Sequence, residues 1–589
     1  YNATLPLMTE HGTEISQNKQ LQAAYEQVAN ELPADATPEM RMLVEQELRD
    51  FRLAGVALPD AEKARFKEIR QRLAALQAKF DQNVQDATDA WHYHTTEETD
   101  VAGLPAPVLA RAREDAEAQG AEGWWLKLDY PNHLAVMTHA DSRHLRETFY
   151  RAWSTRASDE GGDADLDNSD VIEEILALRH EAANLVGFDN YADYSLATKM
   201  AGDVDEVLRF LTELADRSRS KATEEFEEIR SAAGGVLEAW DITYWLEKLK
   251  QSKFSVSDEV LRQYFPFAVV SRGMFSLAER LYDIEVVEVP EVAVWHDTVR
   301  YFEIRDADGS IVGSFYTDLF ARAGKRGGAW MDECVVRKDL DGDSETPVGY
   351  LVCNFPPPDA DGVSLLTHTD VVTLFHEFGH MLHHLLTRID YPSIAGINGV
   401  PWDAVELPSQ FMENYAWRYE VLVSASSHHE TGEPLPRALF DKLDASRHFG
   451  EALSMLRQLE FALFDFRLHA GYDPGQGGRV MQTLNEVRDT VALVRHPDFN
   501  RQPHSFSHIF AGGYAAGYYS YKWAEVLAAD AFAAFEESGI FDADTAARFR
   551  REILEIGGSR DFMEAYIAFR GRKPTLDALL RQTGIAKAA

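Results

Sequence analysis

Between Lys19 and Trp91, apolar residues repeat with the spacing of amphipathic helices. The clearest stripe alternates steps of three and four positions and comprises Phe66, Ile69, Leu73, Leu76, Phe80, Val84, Ala87 and Trp91. Such a stripe is typical of a long helix that packs on other helices. Asp60 follows Pro59 just ahead of the stripe, so we expect Asp60 to be the N-cap of this helix.

Further along the chain, residues 170–185 and 204–232 show the same helical spacing, which returns in the C-terminal part. A different pattern lies between these regions. Residues 301–316 contain two β-prone runs on either side of Asp308-Gly309, a dipeptide typical of hairpin turns. Residues 349–355 form another β-prone run. The sequence therefore predicts a mainly α fold with a small β element, and no repeat or flexible linker marks a domain boundary.

The composition limits the classes of partner. Hydrophobic residues make up 45% of the 589 positions, enough for a packed core. The formal net charge is −39, which disfavours nucleic acid because its phosphates would be repelled. No apolar run approaches the roughly 18–20 residues of a membrane-spanning helix, so no membrane partner is expected. The two cysteines, Cys334 and Cys353, are too few for a disulfide framework, which predicts a reducing, cytoplasmic location.

The sequence His-Glu-Phe-Gly-His at 376–380 has the His-Glu-x-x-His spacing of zinc-binding helices. Residues four apart lie on one helix face, so His376 and His380 can reach the same ion. Glu377 is turned by about 100° from His376 and can face a water molecule on that ion instead. Thr367 or Thr369 is the expected N-cap of this helix.

A third ligand is not fixed by spacing alone. His383 and Leu386 replace two residues of the extended metzincin motif, which excludes that class. His383 and His384 are too close in sequence to complete the site, and we expect them to support the ligands or to face solvent. Glu406 is a candidate ligand, but Asp403-x-x-Glu406 also has the spacing of a capping box. Asp403 could alternatively orient a ligand histidine.

A second block, residues 506–523, combines an Ala-Gly-Gly run with several tyrosines. Tyr514, Tyr518 and Tyr521 have the spacing of one helix face. A neutral phenol can donate a hydrogen bond to a developing negative oxygen beside a metal. The alternative is that this stripe packs in the core, and we assign Tyr518 and Tyr519 to that role.

The motifs at 376–380, 405–410 and 506–523 together resemble the thimet-oligopeptidase family of zinc metallopeptidases. The resemblance extends over nearly the whole chain. It implies one Zn²⁺ per chain with Glu406 as the third ligand. It also implies that His508, Tyr514 and Tyr521 contact the substrate and the developing oxyanion.

The resembled family implies two mostly helical lobes that face each other across a deep substrate channel. On this basis we expect an N-terminal helical region at 1–125 and a zinc peptidase region at 130–587. Family members usually carry a further N-terminal helical segment that has no counterpart here. One wall of the channel is therefore not accounted for by this sequence.

The function predicted from these residues is zinc-dependent hydrolysis of internal bonds in short peptides, with Glu377 as the general base. As the family implies, cleaved signal peptides are one class of substrate, and we expect a monomer. A dipeptidyl carboxypeptidase is the alternative, but it needs a grip on the terminal carboxylate that the sequence does not identify. A non-catalytic peptide-binding protein would lack a ligand or the base, and this chain lacks none of them.

Overall fold

The computed structural model describes residues 5–254, 258–322, 325–340, 342–359 and 361–586. Helices dominate its first half. They are α1 Leu5–Ser16, α2 Lys19–Glu31, α3 Pro38–Leu53, α4 Asp60–Ala90, α5 Ala106–Ala118, α6 Tyr130–His139, α7 Arg143–Ser154, α8 Ser169–Leu185, α9 Tyr191–Leu196, α10 Val204–Ala233, α11 Ile242–Phe254, α12 Asp258–Leu261 and α13 Phe267–Tyr282.

The second half is helical again after a β region. Its helices are α14 His368–Leu385, α15 Leu407–Glu413, α16 Tyr419–Leu422, α17 Arg437–Arg447, α18 Glu451–Ala470, α19 Val480–Val491, α20 Ser507–Phe510, α21 Ser520–Ser538, α22 Ala543–Phe549, α23 Phe562–Arg570 and α24 Asp577–Gln582. The predicted mainly α fold with a small β element is confirmed. No helix within the described ranges is both long and apolar enough to cross a membrane.

Within the described residues, the strands form one five-stranded sheet and two small pairs. They are β1 His92–Thr95, β2 Trp124–Lys127, β3 Ile284–Glu288, β4 Arg300–Asp306, β5 Ile311–Phe320, β6 Trp330–Val335, β7 Lys338–Leu340, β8 Asp343–Glu345 and β9 Val348–Phe355. The large sheet has the order β3-β4-β5-β9-β6, and only β5 and β9 run parallel. The hairpin predicted around Asp308-Gly309 is the β4–β5 pair, and the predicted strand at 349–355 is β9.

The long helix α4 confirms the predicted apolar stripe, since Phe66, Ile69, Leu76 and Phe80 are buried. Its start differs from the prediction. Asp60 is the first helical residue, and Pro59 occupies the N-cap position without a side-chain cap. Proline fixes its own backbone angle and so restricts the chain at the position before the helix. The helix therefore begins without the hydrogen bond expected from an aspartate cap.

The large sheet holds helix α14 on one of its faces. α14 packs against β9, and Gly349 on that strand faces Met381 on the helix. A Cβ atom at Gly349 would lie 2.6 Å from the sulfur of Met381, so a larger residue there would require the Met381 side chain to move. One continuous apolar core includes residues of the sheet, α14, α15, α18 and α21. The sheet and these helices thus fix the position of the His-Glu-x-x-His helix.

Candidate metal centre

Helix α14 begins with a reciprocal capping box. The hydroxyl of Thr367 accepts a hydrogen bond from the Asp370 N–H at 3.1 Å, and Asp370 accepts one from the Thr367 N–H at 2.8 Å. The cap is therefore Thr367 and not Thr369. The two bonds satisfy donors at the helix start, and the carboxylate interacts favourably with the positive end of the helix.

Three predicted ligands converge at one point. Nε2 of His376 lies 3.3 Å and Nε2 of His380 lies 3.1 Å from Oε2 of Glu406. All three ligand atoms lie within 4.8 Å of one another. These separations suit the edges of a tetrahedron with bonds of about 2 Å, and two imidazoles with one carboxylate are a catalytic zinc donor set. The residues therefore fit a divalent metal ion.

Glu406 reaches the histidines because α15 crosses very close to α14. A Cβ atom at Gly379 would lie 2.4 Å from the Pro408 carbonyl oxygen, so the glycine inside the motif permits this approach. Pro408 lies in the first turn of α15, where its missing N–H costs little. Glu406 itself makes no capping bond. The capping-box interpretation of Asp403 and Glu406 is therefore wrong.

Glu413 is a site residue that the sequence analysis missed. Its Oε1 lies 2.6 Å from Nδ1 of His376, which places the Nδ1 proton between them and leaves Nε2 free toward Glu406. Burial lowers the pKa of His376, but the bonds to Glu406 and Glu413 outweigh it and raise this pKa to about 10. Glu413 lies seven positions after Glu406, so the two residues are two helical turns apart on the same helix face. This spacing is the feature of the sequence that could have identified Glu413 as a site residue.

Asp403 does not orient a histidine, contrary to one of our predictions. Its carboxylate accepts hydrogen bonds from the backbone N–H groups of Met200 and Ala201 at 2.7 and 3.0 Å. It also accepts one from the hydroxyl of Tyr519 at 2.7 Å. Asp403 thus fixes the chain segment that precedes Glu406.

Glu377 is only 6% exposed and is not part of the ligand cluster. Burial raises the pKa of its carboxyl group, and this outweighs the opposing influence of His376 and His380. The N–H of Met331, on strand β6, donates a hydrogen bond to it. A carboxylate with a raised pKa beside a cluster of metal-ligand residues is suited to accept a proton.

The two other histidines of α14 are buried, so the prediction that they could face solvent is wrong. His383 and His384 are both 0% exposed, and neither belongs to the ligand cluster. Burial lowers the pKa of His383 to about 3. Nε2 of His384 donates toward the carbonyl oxygens of Val335 and Val348 on the neighbouring strands. His384 therefore connects α14 to the sheet.

The tyrosine block differs from the predicted helix. Helix α21 begins only at Ser520, and the preceding residues form turns. Buried Asp465 accepts hydrogen bonds from the N–H groups of Ala516, Gly517 and Tyr518 at 2.9–3.0 Å. Ala516 has a φ of 46°, a left-handed conformation that opposes helix continuation. Helical spacing was present here, but a carboxylate from α18 holds the backbone in another shape.

The predicted tyrosines nevertheless lie together. The rings of Tyr514 and Tyr521 stack with their centroids 4.8 Å apart, and the ring of His508 lies 6.1 Å from Tyr514. Burial raises the pKa of both tyrosines, and the charge of Glu406 raises it further. Both tyrosines therefore lie within electrostatic range of Glu406. Tyr518 is buried as predicted, and its hydroxyl donates to Gln458 at 3.0 Å.

A cavity of about 390 Å³ lies beside the cluster. Glu413, which holds His376, lines it together with His508 and Tyr521. Its size falls in the range of small-ligand pockets. The residue that holds His376 and part of the tyrosine block therefore line one cavity, although none of the three ligand residues lines it.

Comparisons with known proteins agree with this geometry. The model of Peptidase family M3 matches residues 136–585. Oligopeptidase A of Escherichia coli (strain K12) is 51% identical, covering 99% of this chain and 87% of that protein. Dipeptidyl carboxypeptidase of the same organism is 33% identical, covering 92% and 80%. Among solved structures, PZ peptidase A with inhibitor 2 has a TM-score of 0.60 at 14% identity, covering 99% and 86%, a likeness of fold alone. Since the family model spans most of the chain, the protein belongs to peptidase family M3.

Proposed function

We propose that this protein is a zinc-dependent oligopeptidase that hydrolyses internal bonds of short peptides. The observation that carries the proposal is the convergence of His376, His380 and Glu406 on one point, with buried Glu377 next to the first ligand. Two imidazole nitrogens and one carboxylate oxygen favour zinc among the common divalent metals. The described part of the chain holds one such cluster, which predicts one Zn²⁺ per chain.

When bound, zinc polarises the scissile carbonyl and lowers the pKa of water at the site. Glu377 accepts the proton of the attacking water and returns it to the leaving amine. Tyr514 and Tyr521 donate hydrogen bonds to the oxygen that becomes negative, and His508 orients the substrate beside them. Glu413 keeps the Nδ1 proton of His376 in place, so that Nε2 stays directed at the metal position.

The substrate class follows from the relatives. The 51% identical relative is named an oligopeptidase, whereas the relative named a dipeptidyl carboxypeptidase is 33% identical. We therefore favour cleavage of internal bonds, with size selection set by access to the site. We also propose that the protein is a monomer. The free cysteines favour a location in the cytoplasm. The net charge of −39 disfavours nucleic-acid partners. Residues 130–587 are proposed as the catalytic region.

One experiment tests both the metal and the bond position. The purified protein is incubated with a neutral peptide of about ten residues, acetylated and amidated, and the products are identified by mass spectrometry. We expect cleavage at an internal bond, loss of cleavage after chelation, and recovery on addition of Zn²⁺. Full activity in a verified metal-free sample would exclude the zinc mechanism. Activity confined to peptides with a free C-terminus, with dipeptides as the only products, would favour the carboxypeptidase.

A further inference from the structure

The cavity beside the metal cluster contains four charged residues. Two of them form an ion pair, since Lys522 contacts Glu525. A third, Glu413, is bonded to His376. The fourth is Arg447, the last residue of α17. Three of these charges are therefore occupied by partners within the protein.

Arg447 differs from the other three. It is partly buried, and it has no hydrogen-bond or ion-pair partner among the residues that the structure describes. Its guanidinium carbon lies 4.7 Å from the ring centroid of Trp417, which also lines the cavity. Burial lowers the pKa of Arg447 to about 10, and neighbouring Arg418 contributes to this shift. A guanidinium remains charged at this pKa, so a positive charge faces the cavity at neutral pH.

The position of Arg447 at the end of α17 does not provide it with a salt-bridge partner among the described residues. Arg447 lies at the negative end of α17, which stabilises a cation modestly. Asp444, Glu413 and Glu451 are near enough to favour the charged form, yet none reaches it as a salt-bridge partner within the described chain. Stacking on Trp417 covers one face of the guanidinium and leaves its edge donors unused. A planar group with five donors is well matched to a carboxylate.

Gln410 also lines the cavity, but its side-chain oxygen is enclosed by protein atoms. Oε1 of Gln410, on α15 between Glu406 and Glu413, is buried without a hydrogen-bond partner in the described residues. The cavity therefore offers an unpaired cation, which is the partner that a carboxylate requires.

We propose that Arg447 binds a carboxylate of the peptide substrate in this cavity, either the C-terminal carboxylate or an acidic side chain. The proposal rests on the proposed peptidase function and specifies which peptides it prefers. In a chain with a net charge of −39, an unpaired arginine in this cavity supplies a positive charge with which an anionic peptide group can pair.

The test measures binding separately from hydrolysis. The Glu377→Gln variant, loaded with Zn²⁺, is titrated with a neutral peptide blocked at both ends. It is then titrated with one derivative that has a free C-terminus and with a series in which one Gln is replaced by Glu. We expect at least one carboxylate derivative to bind about 10-fold more tightly than the neutral parent. The identity of that derivative distinguishes a terminal carboxylate from a side chain.

Adding Arg447→Gln should remove this gain and leave the affinity for the neutral parent unchanged. Arg447→Lys should keep part of the gain, because the charge remains but the paired donors are lost. Arg437→Gln is the matched control, since Arg437 lies at the exposed start of the same helix and pairs with Asp441. Circular dichroism checks that each variant is folded.

Two results would overturn the subsite. One is that no carboxylate derivative binds more tightly than the parent, and the other is that the gain persists in Arg447→Gln. Failure of the peptidase function is a separate result. In that case the wild-type protein with zinc would not cleave the neutral parent, whatever the binding series shows.

Discussion

The hydroxyl of Tyr519 donates a 2.7 Å hydrogen bond to Oδ2 of Asp403, and both side chains are fully buried. Asp403 lies three residues before Glu406, and Tyr519 directly precedes helix α21. The bond therefore joins the segment that supplies a metal ligand to the segment that supplies Tyr514. A change at this bond should alter the relative placement of the two halves of the site.

Tyr519→Phe tests this connection, because it removes one oxygen and leaves the ring in place. We expect a loss of about 1.5–3 kcal/mol in the free energy of unfolding, since a buried carboxylate loses a donor. We also expect a lower kcat with unchanged zinc content. Tyr566→Phe is the matched control, because Tyr566 donates a 2.7 Å bond to buried Asp530 away from the site. If both variants keep normal kcat, the Asp403–Tyr519 bond has no positioning role.

Substitution of the general base Glu377 should lower kcat, whereas substitution of the third ligand Glu406 should lower the zinc content. Glu377→Gln removes the proton acceptor and should lower kcat by about 10²–10⁴-fold while the protein keeps one zinc per chain. Glu406→Gln weakens a ligand and should lower the zinc content at limiting metal. Metal analysis after gel filtration, combined with peptide cleavage, distinguishes the two roles. The reverse pattern, with zinc lost in Glu377→Gln and kept in Glu406→Gln, would contradict both assignments.

Local patterns predicted the elements that local forces determine. The spacing of His376 and His380 is a property of a single helix, and the Asp308-Gly309 turn is a property of four consecutive residues. Both were therefore visible in the sequence. The long apolar stripe of α4 was visible for the same reason, because one face of a helix must be buried.

Contacts between distant segments were not visible in the same way. Glu413 reaches His376 only because Gly379 allows α15 to approach α14, and that approach depends on the tertiary fold. The tyrosine block was misassigned as a helix because its spacing fits one. Its backbone N–H groups instead bond to Asp465, which lies about fifty residues earlier. A long-range carboxylate here overrides a local periodicity.

Acid should destabilise the protein through His368, the first residue of α14. This ring is 5% exposed and bonds to the carbonyl oxygen of Ala416 at 2.8 Å. Burial lowers its pKa to about 4, and the bond to Ala416 only partly opposes this; Arg447 and Lys250 lower it further. The unfolded chain, with a pKa of about 6.5, binds the proton more readily. The contribution of neutral His368 to stability is therefore fully present above pH 6.5 and is lost as the pH falls toward 4.

His368→Gln isolates this contribution, because an amide can still donate to Ala416 but does not titrate. At pH 5 the histidine should cost the wild-type protein about 2 kcal/mol relative to pH 7.5. Urea unfolding at the two pH values should show a smaller pH dependence in His368→Gln. His144→Gln, at an exposed position, is the control. An unchanged pH dependence in His368→Gln would show that this residue is not a source of acid sensitivity.

Glu413 should affect metal affinity without being a ligand. Glu413→Gln weakens the bond that orients His376, and we expect zinc affinity to fall by about 10–100-fold. Competition with a chromophoric chelator measures this change. Asp403→Asn is the comparison, since Asp403 contacts no histidine and should reduce stability more than zinc affinity. Equal zinc affinities in Glu413→Gln and the wild-type protein would show that the 2.6 Å contact does not support the ligand.

The tyrosines give the clearest separation between a catalytic and a packing role. Tyr514 and Tyr521 stack near Glu406, whereas the hydroxyl of Tyr518 is already bonded to Gln458. Tyr514→Phe and Tyr521→Phe each remove one donor and preserve packing volume. If these hydroxyls bond the oxyanion, kcat falls by roughly 10²–10³-fold while zinc content and melting temperature are preserved.

Tyr518→Phe is the internal control for these two variants. It loses a single bond to Gln458, so we expect a stability cost of about 0.5–1.5 kcal/mol and nearly normal kcat. Stopped assays on the blocked neutral peptide measure kcat for all three variants under saturating substrate. A catalytic role requires the first two variants to be slow and the third to be fast, because only the stacked pair is assigned to the oxyanion. If all three turn over at the wild-type rate, the stacked tyrosines pack the site and stabilise no oxyanion.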